Sequence, residues 1–207
     1  MVRHRIIVLS ETAEWRRLLP GATALVRRAA KAALAAAGPA QTAELDIVLV
    51  DDARQRELNR DWRGQDKSTN VLSFPCATEL PRAANGASTF ASGMPLLLGD
   101  VVLAAGTIAA EADAQGKSLA DHVTHLVIHG VLHLLGYDHE DGRSARRMEG
   151  LEVTLLETLG IADPYRPVPA TPQRKAARKP AVPRVASRRP ASRKSTSRRV
   201  IARAVAR

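Results

Sequence analysis

The chain has 207 residues, enough for one domain, or for one domain and a tail. Its net charge of +10 is unevenly placed: residues 1–165 carry 17 Lys+Arg against 21 Asp+Glu, a net of −4, whereas residues 166–207 carry 14 Lys+Arg and no acid. The basic balance therefore belongs to the C-terminal segment, which excludes a basic-protein reading of the globular part. A single cysteine, Cys76, excludes an intrachain disulfide and a cysteine-based zinc site, and it is read as a buried, inert thiol. No segment approaches the ~20 apolar residues of a membrane span, and the N-terminal apolar run is too short for a signal peptide. A cytoplasmic protein without membrane contact is expected.

In chain order, residues 3–10 (RHRIIVLS) are β-rich and read as a first strand. Helix-forming residues follow in ETAEWRRLL (11–19), break at Pro20-Gly21, resume in ATALVRRAAKAALAAAG (22–38) and stop at Gly38-Pro39. ELDIVLV (44–50) reads as a second strand whose apolar run suggests burial on both faces. Asp51 or Asp52 can cap the next helix, over ARQRELNRDW (53–62). TNVLSFP (69–75) reads as a third strand, and the Gly/Ser/Ala/Pro-rich residues 77–95 as an exposed connection. LLLGDVVLAAG (96–106) is a fourth strand with Gly99 inside it, followed by a helix over about 107–115.

SLADHVTHLVIHGVLHLLG (118–136) carries the strongest helix signal. Ser118 and Asp121 have the form of a capping box, Gly136 suits the left-handed position past the end, and the interior is apolar nearly all round, as in a buried helix. Met148, Leu151, Leu155 and Leu159 suggest a last helix, stopped by Gly160. The expected fold class is α+β: a small mixed sheet of about four strands packed with about five helices, in one domain over residues 1–163. From Pro164 to Arg207 the composition turns to Ala, Pro, Ser and Arg, which cannot bury enough apolar surface to offset ordering, so a disordered basic tail is expected.

Five of the six histidines fall between positions 122 and 139. Side chains at i and i+4 share a helix face, so His129 and His133 can aim two imidazoles at one point, and a turn at Gly136 can bring His139 back to it. Three nitrogen ligands leave one position of a tetrahedral zinc open for water, the pattern of a catalytic site. An imidazole buried without a partner costs on the order of 2–7 kcal/mol, and a metal supplies the partner. His125, four before His129, is placed behind or beside the site before it is placed as a ligand; His122 falls off the stripe and His4 carries no signal. The pair resembles a zinc-peptidase helix, but Gly130 stands where H-E-x-x-H keeps its general base. A helix glycine costs roughly 1 kcal/mol relative to alanine. The expected reason for it is close approach of another backbone, or of substrate, beside the metal.

HGVLHLLGYDH (129–139) resembles the H-G-x-L-H-L-x-G-Y-D-H signature of the YbeY-type endoribonuclease family, bacterial enzymes of ribosomal RNA maturation. LNRDWRGQDKSTNVLSFP (58–75) resembles the family's arginine segment, with Trp62 where tyrosine is common, and LGDVVL (98–103) its G-D-[IV] strand. The resemblance covers about residues 3–160 and stops before the tail.

The resemblance implies one zinc held by His129, His133 and His139, a single-stranded RNA substrate, and Arg63 as a cleft arginine. A forked, always-charged guanidinium suits a phosphate and the charge of a phosphoryl transition state. Without the resemblance, Arg63 would read as a solvated surface arginine beside Asp61 and Asp66. Asp100 is read as a cleft residue or as part of a cap or buried turn, and Asp138 as a group that could orient an imidazole. The expected function is zinc-dependent, single-strand-specific endonucleolytic cleavage in rRNA maturation (16S rRNA 3′ end) and ribosome quality control, with the ribosomal small subunit as partner. The alternative is an RNA-binding assembly factor whose metal is mainly structural. The basic tail could add salt-dependent, sequence-independent RNA affinity.

Overall fold

The computed structural model describes residues 2–76 and 95–166. Nearly all of the expected connection (77–95) and of the expected tail (164–207) lies outside the described residues. Four strands, β1 (Arg5–Ser10), β2 (Ala43–Val50), β3 (Val71–Pro75) and β4 (Leu96–Ala104), form one sheet in the order β1-β2-β4-β3. β1–β2 and β2–β4 pair parallel, and β3 joins β4 antiparallel at the edge. The described helices are α1 (Glu14–Leu18), α2 (Ala22–Ala37), α3 (Asp52–Arg63), α4 (Ala105–Ala114), α5 (Leu119–Leu134) and α6 (Gly142–Thr158). The mixed sheet and helical layers are those expected, and the segment before Pro20 closes as a separate five-residue helix, as the break at Pro20-Gly21 predicts.

β2 is buried on both faces, as its apolar run predicts. Leu45, Ile47 and Leu49 join the larger core with α2 and α5, while Val48 and Val50 face a smaller core with Leu58 of α3. Each such Leu, Ile or Val contributes roughly 1.5–3 kcal/mol through burial. β4 serves both cores through an irregularity. Glu44 pairs with Leu97 but Leu45 pairs with Gly99, so Leu98 is an extra residue. A bulge of this kind shifts the in–out alternation by one residue. It puts Leu96 and Leu98 on the same core as Val101 and Leu103, and turns Asp100 and Val102 to the α3 side. Gly99 has φ +124°, and a Cβ there would lie 2.1 Å from the Phe74 carbonyl oxygen, so the bulge requires glycine.

α3 and α5 therefore cover opposite faces of the sheet. Asp51 caps α3 by accepting the Arg54 N–H at 2.8 Å, whereas Asp52 reaches across to accept the N–H of Thr107 in α4 at 2.9 Å. α5 lies against β3 and β4 with its N-terminus capped by Ser118, which accepts the Asp121 N–H at 3.0 Å.

Candidate metal centre

α5 is the scaffold of the site. Its inner side chains, Val123, Leu126, Val127, Ile128, Val131, Leu132 and Leu134, are buried, which fixes the helix's rotation and leaves His125, His129 and His133 in half-buried positions. The helix ends in a Schellman motif. Gly136 (φ +82°) donates to the His133 carbonyl at 3.0 Å, and Tyr137 to the Leu132 carbonyl at 3.0 Å. The chain then reverses. Asp138 accepts the backbone N–H of His139 at 2.6 Å, and Asp141 with Ser144 forms a capping box that starts α6. Arg147 of α6 stacks over the Tyr137 ring at 5.2 Å and ties the turn to that helix. His139 is thus held between two defined helix ends.

The three imidazoles meet. His129 and His133 approach through their Nε2 atoms at 3.1 Å, and the His139 ring lies 5.6 Å from His129 and 5.1 Å from His133, centroid to centroid. One nitrogen from each lies within 4.8 Å of the other two, close enough for a single ion to touch all three. Burial, and then the neighbouring His129 and His139, lower the His133 pKa from its ordinary value, which favours the unprotonated nitrogen a metal needs.

Behind this cluster stands a residue that the sequence pattern does not reveal. The Glu152 side chain, from the buried stripe of α6, is fully buried. Its Oε1 lies 2.8 Å from His129 Nδ1 and its Oε2 3.1 Å from His125 Nε2, and Oε2 also accepts the hydroxyl of Tyr165. Burial alone would push this carboxyl up, but the hydrogen bonds from His125, His129 and Tyr165 outweigh it and hold it at about 2. For Tyr165, burial and then the bond to Glu152 raise the hydroxyl's pKa. His125, His129 and Glu152 also lie close enough together to form a second potential ligand group.

A family model described as Endoribonuclease YbeY matches residues 13–160. This chain belongs to the YbeY endoribonuclease family. Proteins named Endoribonuclease YbeY are similar to it along most of their length. The one from Paramagnetospirillum magneticum is 55% identical over 152 residues, 73% of this chain and 89% of the relative. That from Rhodospirillum rubrum is 48% identical over 169 residues, 78% and 81% of the two chains. That from Parvibaculum lavamentivorans is 51% identical over 160 residues, 77% and 84%.

In this YbeY-family chain the other expected residues take different places. Gly130 faces the sheet: a Cβ there would meet Val101 Cγ1 at 2.7 Å and Ser73 Oγ at 3.1 Å, and Ser73 donates to the Gly130 carbonyl at 3.2 Å. The glycine serves the close approach of α5 to β3 and β4, not space beside the metal as expected. Among the described residues the Asp138 carboxylate bonds the backbone N–H of His139, and the carboxylate in contact with a His129 ring nitrogen is that of Glu152. His125 stands behind the site, as expected, and His122 is off it, with its Nε2 3.0 Å from Glu111.

Arg63 is not among the side chains that meet at the histidines. It is the exposed last residue of α3, next to Gly64 in the left-handed conformation. Arg54, Arg56 and Arg60 of the same helix pair with Glu57, Asp66 and Asp61. The two acids nearest Arg63 in the sequence, Asp61 and Asp66, are thereby engaged, and Arg63 forms no ion pair among the described residues. Beside it, half-exposed Trp62 meets Phe74 of β3 edge-to-face at 5.6 Å. Asp100 lies within β4, opposite Asp46 of β2 and Phe74 of β3, so it is neither a cap nor a turn residue. Burial, and then the Asp46 carboxylate, raise its pKa to about 7.

Proposed function

We propose that this YbeY-family protein is a zinc-dependent, single-strand-specific endoribonuclease that acts in rRNA maturation at the 16S rRNA 3′ end and in ribosome quality control. The observation that carries the reading is the convergence of His129, His133 and His139 on one point, with a nitrogen of each within 4.8 Å of the others. The donor set fits zinc: three imidazoles on a rigid helix end and turn, with a carboxylate behind one of them. When bound, zinc supplies Lewis acidity, polarising a phosphodiester oxygen and acidifying water.

The chain's own residues do the rest. His129, His133 and His139 present the nitrogens that would hold the metal. Arg63, with no carboxylate partner among the described residues, binds the substrate phosphate and offsets the charge that develops on it. Either water or the RNA 2′-hydroxyl can attack, and the product ends, a new 5′-phosphate or a 2′,3′-cyclic phosphate, distinguish the two. We further propose that the folded domain, with a boundary near residue 163, works in the cytoplasm on the ribosomal small subunit, and that the basic residues 166–207 tether it to RNA.

The test is cleavage of a single-stranded RNA by His133→Ala and Arg63→Ala variants. Loss of activity in both is expected, and undiminished cleavage by both contradicts the proposal. RNA binding that persists without new ends in the presence of metal would favour an assembly factor with a structural ion.

A further inference from the structure

The buried stripe of α6 runs Met148, Glu152, Leu155, Leu156. A carboxylate in such a stripe is costly, because desolvating an ion takes several kcal/mol unless partners replace the water. Here three donors replace it. His129 Nδ1 lies 2.8 Å from Oε1, and His125 Nε2 (3.1 Å) and the Tyr165 hydroxyl reach Oε2. Tyr165 arrives from beyond the end of α6, on a segment pinned where Lys117 Nζ donates to the Pro164 carbonyl at 2.9 Å. Its ring also meets His125 edge-to-face at 5.7 Å.

We propose that Glu152 is the positioning residue of the metal centre: by accepting the Nδ1–H of His129 it leaves that ring's Nε2 unprotonated and aimed at His133 and His139. His125 and Tyr165 hold the carboxylate in that pose. A histidine's two nitrogens are coupled, since fixing the proton on one frees the lone pair of the other. His133, whose Nε2 lies 3.1 Å from that lone pair, then donates to it in the metal-free protein. Among the described residues the Nδ1 of His125 is buried without a partner, as a ring held in the Nε2–H form would leave it. The second potential ligand group, His125, His129 and Glu152, is on this account a hydrogen-bonded support. An ion there would have to displace both histidine bonds to the carboxylate.

The inference rests on zinc being held by His129, His133 and His139, and its test reads metal affinity and ring protonation without using RNA cleavage. In the metal-free full-length chain, long-range ¹H–¹⁵N correlation spectra should show His129 as the Nδ1–H tautomer; an Nε2–H tautomer overturns the proposal. Zinc affinity, measured by competition with a chromophoric chelator, should fall about 10–100-fold in Glu152→Gln. It should fall at least as far in Glu152→Leu, which also leaves three buried donors unpaired and so lowers the melting temperature, whereas Glu152→Gln keeps a polar partner for them. Tyr165→Phe, at a half-exposed ring, should weaken zinc several-fold and lower the melting temperature only by the loss of one hydrogen bond to the carboxylate. Affinity within twofold of the parent in folded Glu152→Gln, or two zinc ions per chain, contradicts the proposal. If His133→Ala also keeps full affinity, the three-histidine reading itself fails, which separates the two outcomes.

Discussion

His133 Nε2 stands 3.1 Å from His129 Nε2, one helical turn away on α5. Two lone pairs cannot face each other at that distance without a proton or a cation between them, so the pair accommodates an ion at little structural cost. The core around α5 is apolar and includes none of the three histidines. Metal removal is therefore expected to leave the chain folded and to lower its melting temperature modestly. At free zinc of 100 times the dissociation constant, linkage gives about 2.7 kcal/mol of added stability. Thermal unfolding with and without a chelator checks this, and global unfolding on chelation contradicts it.

Gly130→Ala tests whether the glycine serves packing or the metal. The new Cβ meets Val101 Cγ1 at 2.7 Å in a fully buried layer. Overpacking costs about 1–3 kcal/mol, against roughly 1 kcal/mol gained in helix propensity. A net loss of about 1 kcal/mol is expected in urea unfolding, with zinc affinity nearly unchanged. A stabilised variant, or one that folds normally but fails to bind zinc, would return the glycine to the metal site.

Asp100 gives the fold a pH dependence. Its folded pKa, about 7, lies above the ordinary 3.8, so the unfolded chain releases the proton first as pH rises. The stability it contributes is complete below about pH 4 and is lost as pH climbs through 7, by up to about 1.4 kcal/mol per pH unit. Asp100→Asn removes this loss. The variant should be the more stable protein at about pH 8, by a few kcal/mol, with the advantage shrinking toward pH 4. Urea unfolding across that range decides, and a pH-independent difference would contradict the assignment.

How far the sequence discloses these features depends on how far apart the partners lie in the chain. The His129–His133 pair, the turn at Gly136 and the Ser118 cap are local, set by helix periodicity and backbone sign, and they stand in the structure where the sequence puts them. Glu152 is not legible, because a carboxylate reaching across from another helix follows no fixed spacing from the histidine it meets. The Asp46–Asp100 neighbourhood arises from parallel pairing of β2 with β4, and the bulge at Leu98 decides which face Asp100 takes. Gly130 is legible as a point of close approach, but periodicity alone does not say whether sheet or substrate approaches.

Arg63 and Arg56 should separate phosphate binding from scaffold. Arg56 holds Asp66 through two short bonds, 2.7 and 2.6 Å, and so shapes the turn after α3, while Arg63 has no ion-pair partner among the described residues. Arg63→Ala is expected to lower kcat/KM for RNA by about 10²–10³-fold with an unchanged melting temperature. Arg63→Lys keeps the charge but not the fork and should recover only part of it. Equal activity of Arg63→Ala and the parent removes the arginine from the site.

Deleting residues 166–207 removes 14 positive charges and no acid. If the segment tethers RNA, affinity falls, and the slope of log affinity against log salt flattens by about 0.7 for each phosphate that is no longer neutralised. Unchanged affinity and slope exclude the tether. Because Tyr165 stays in place, zinc affinity should not change.

The most direct measurement titrates zinc into the metal-free full-length protein while following cleavage of a single-stranded RNA, beside the same titration of His133→Ala. Cleavage should rise from background and saturate at one zinc per chain, while His133→Ala should bind zinc more than about 100-fold more weakly and stay at background. Full cleavage by metal-free protein, or parental zinc binding and cleavage by His133→Ala, would contradict a three-histidine zinc centre as the source of activity.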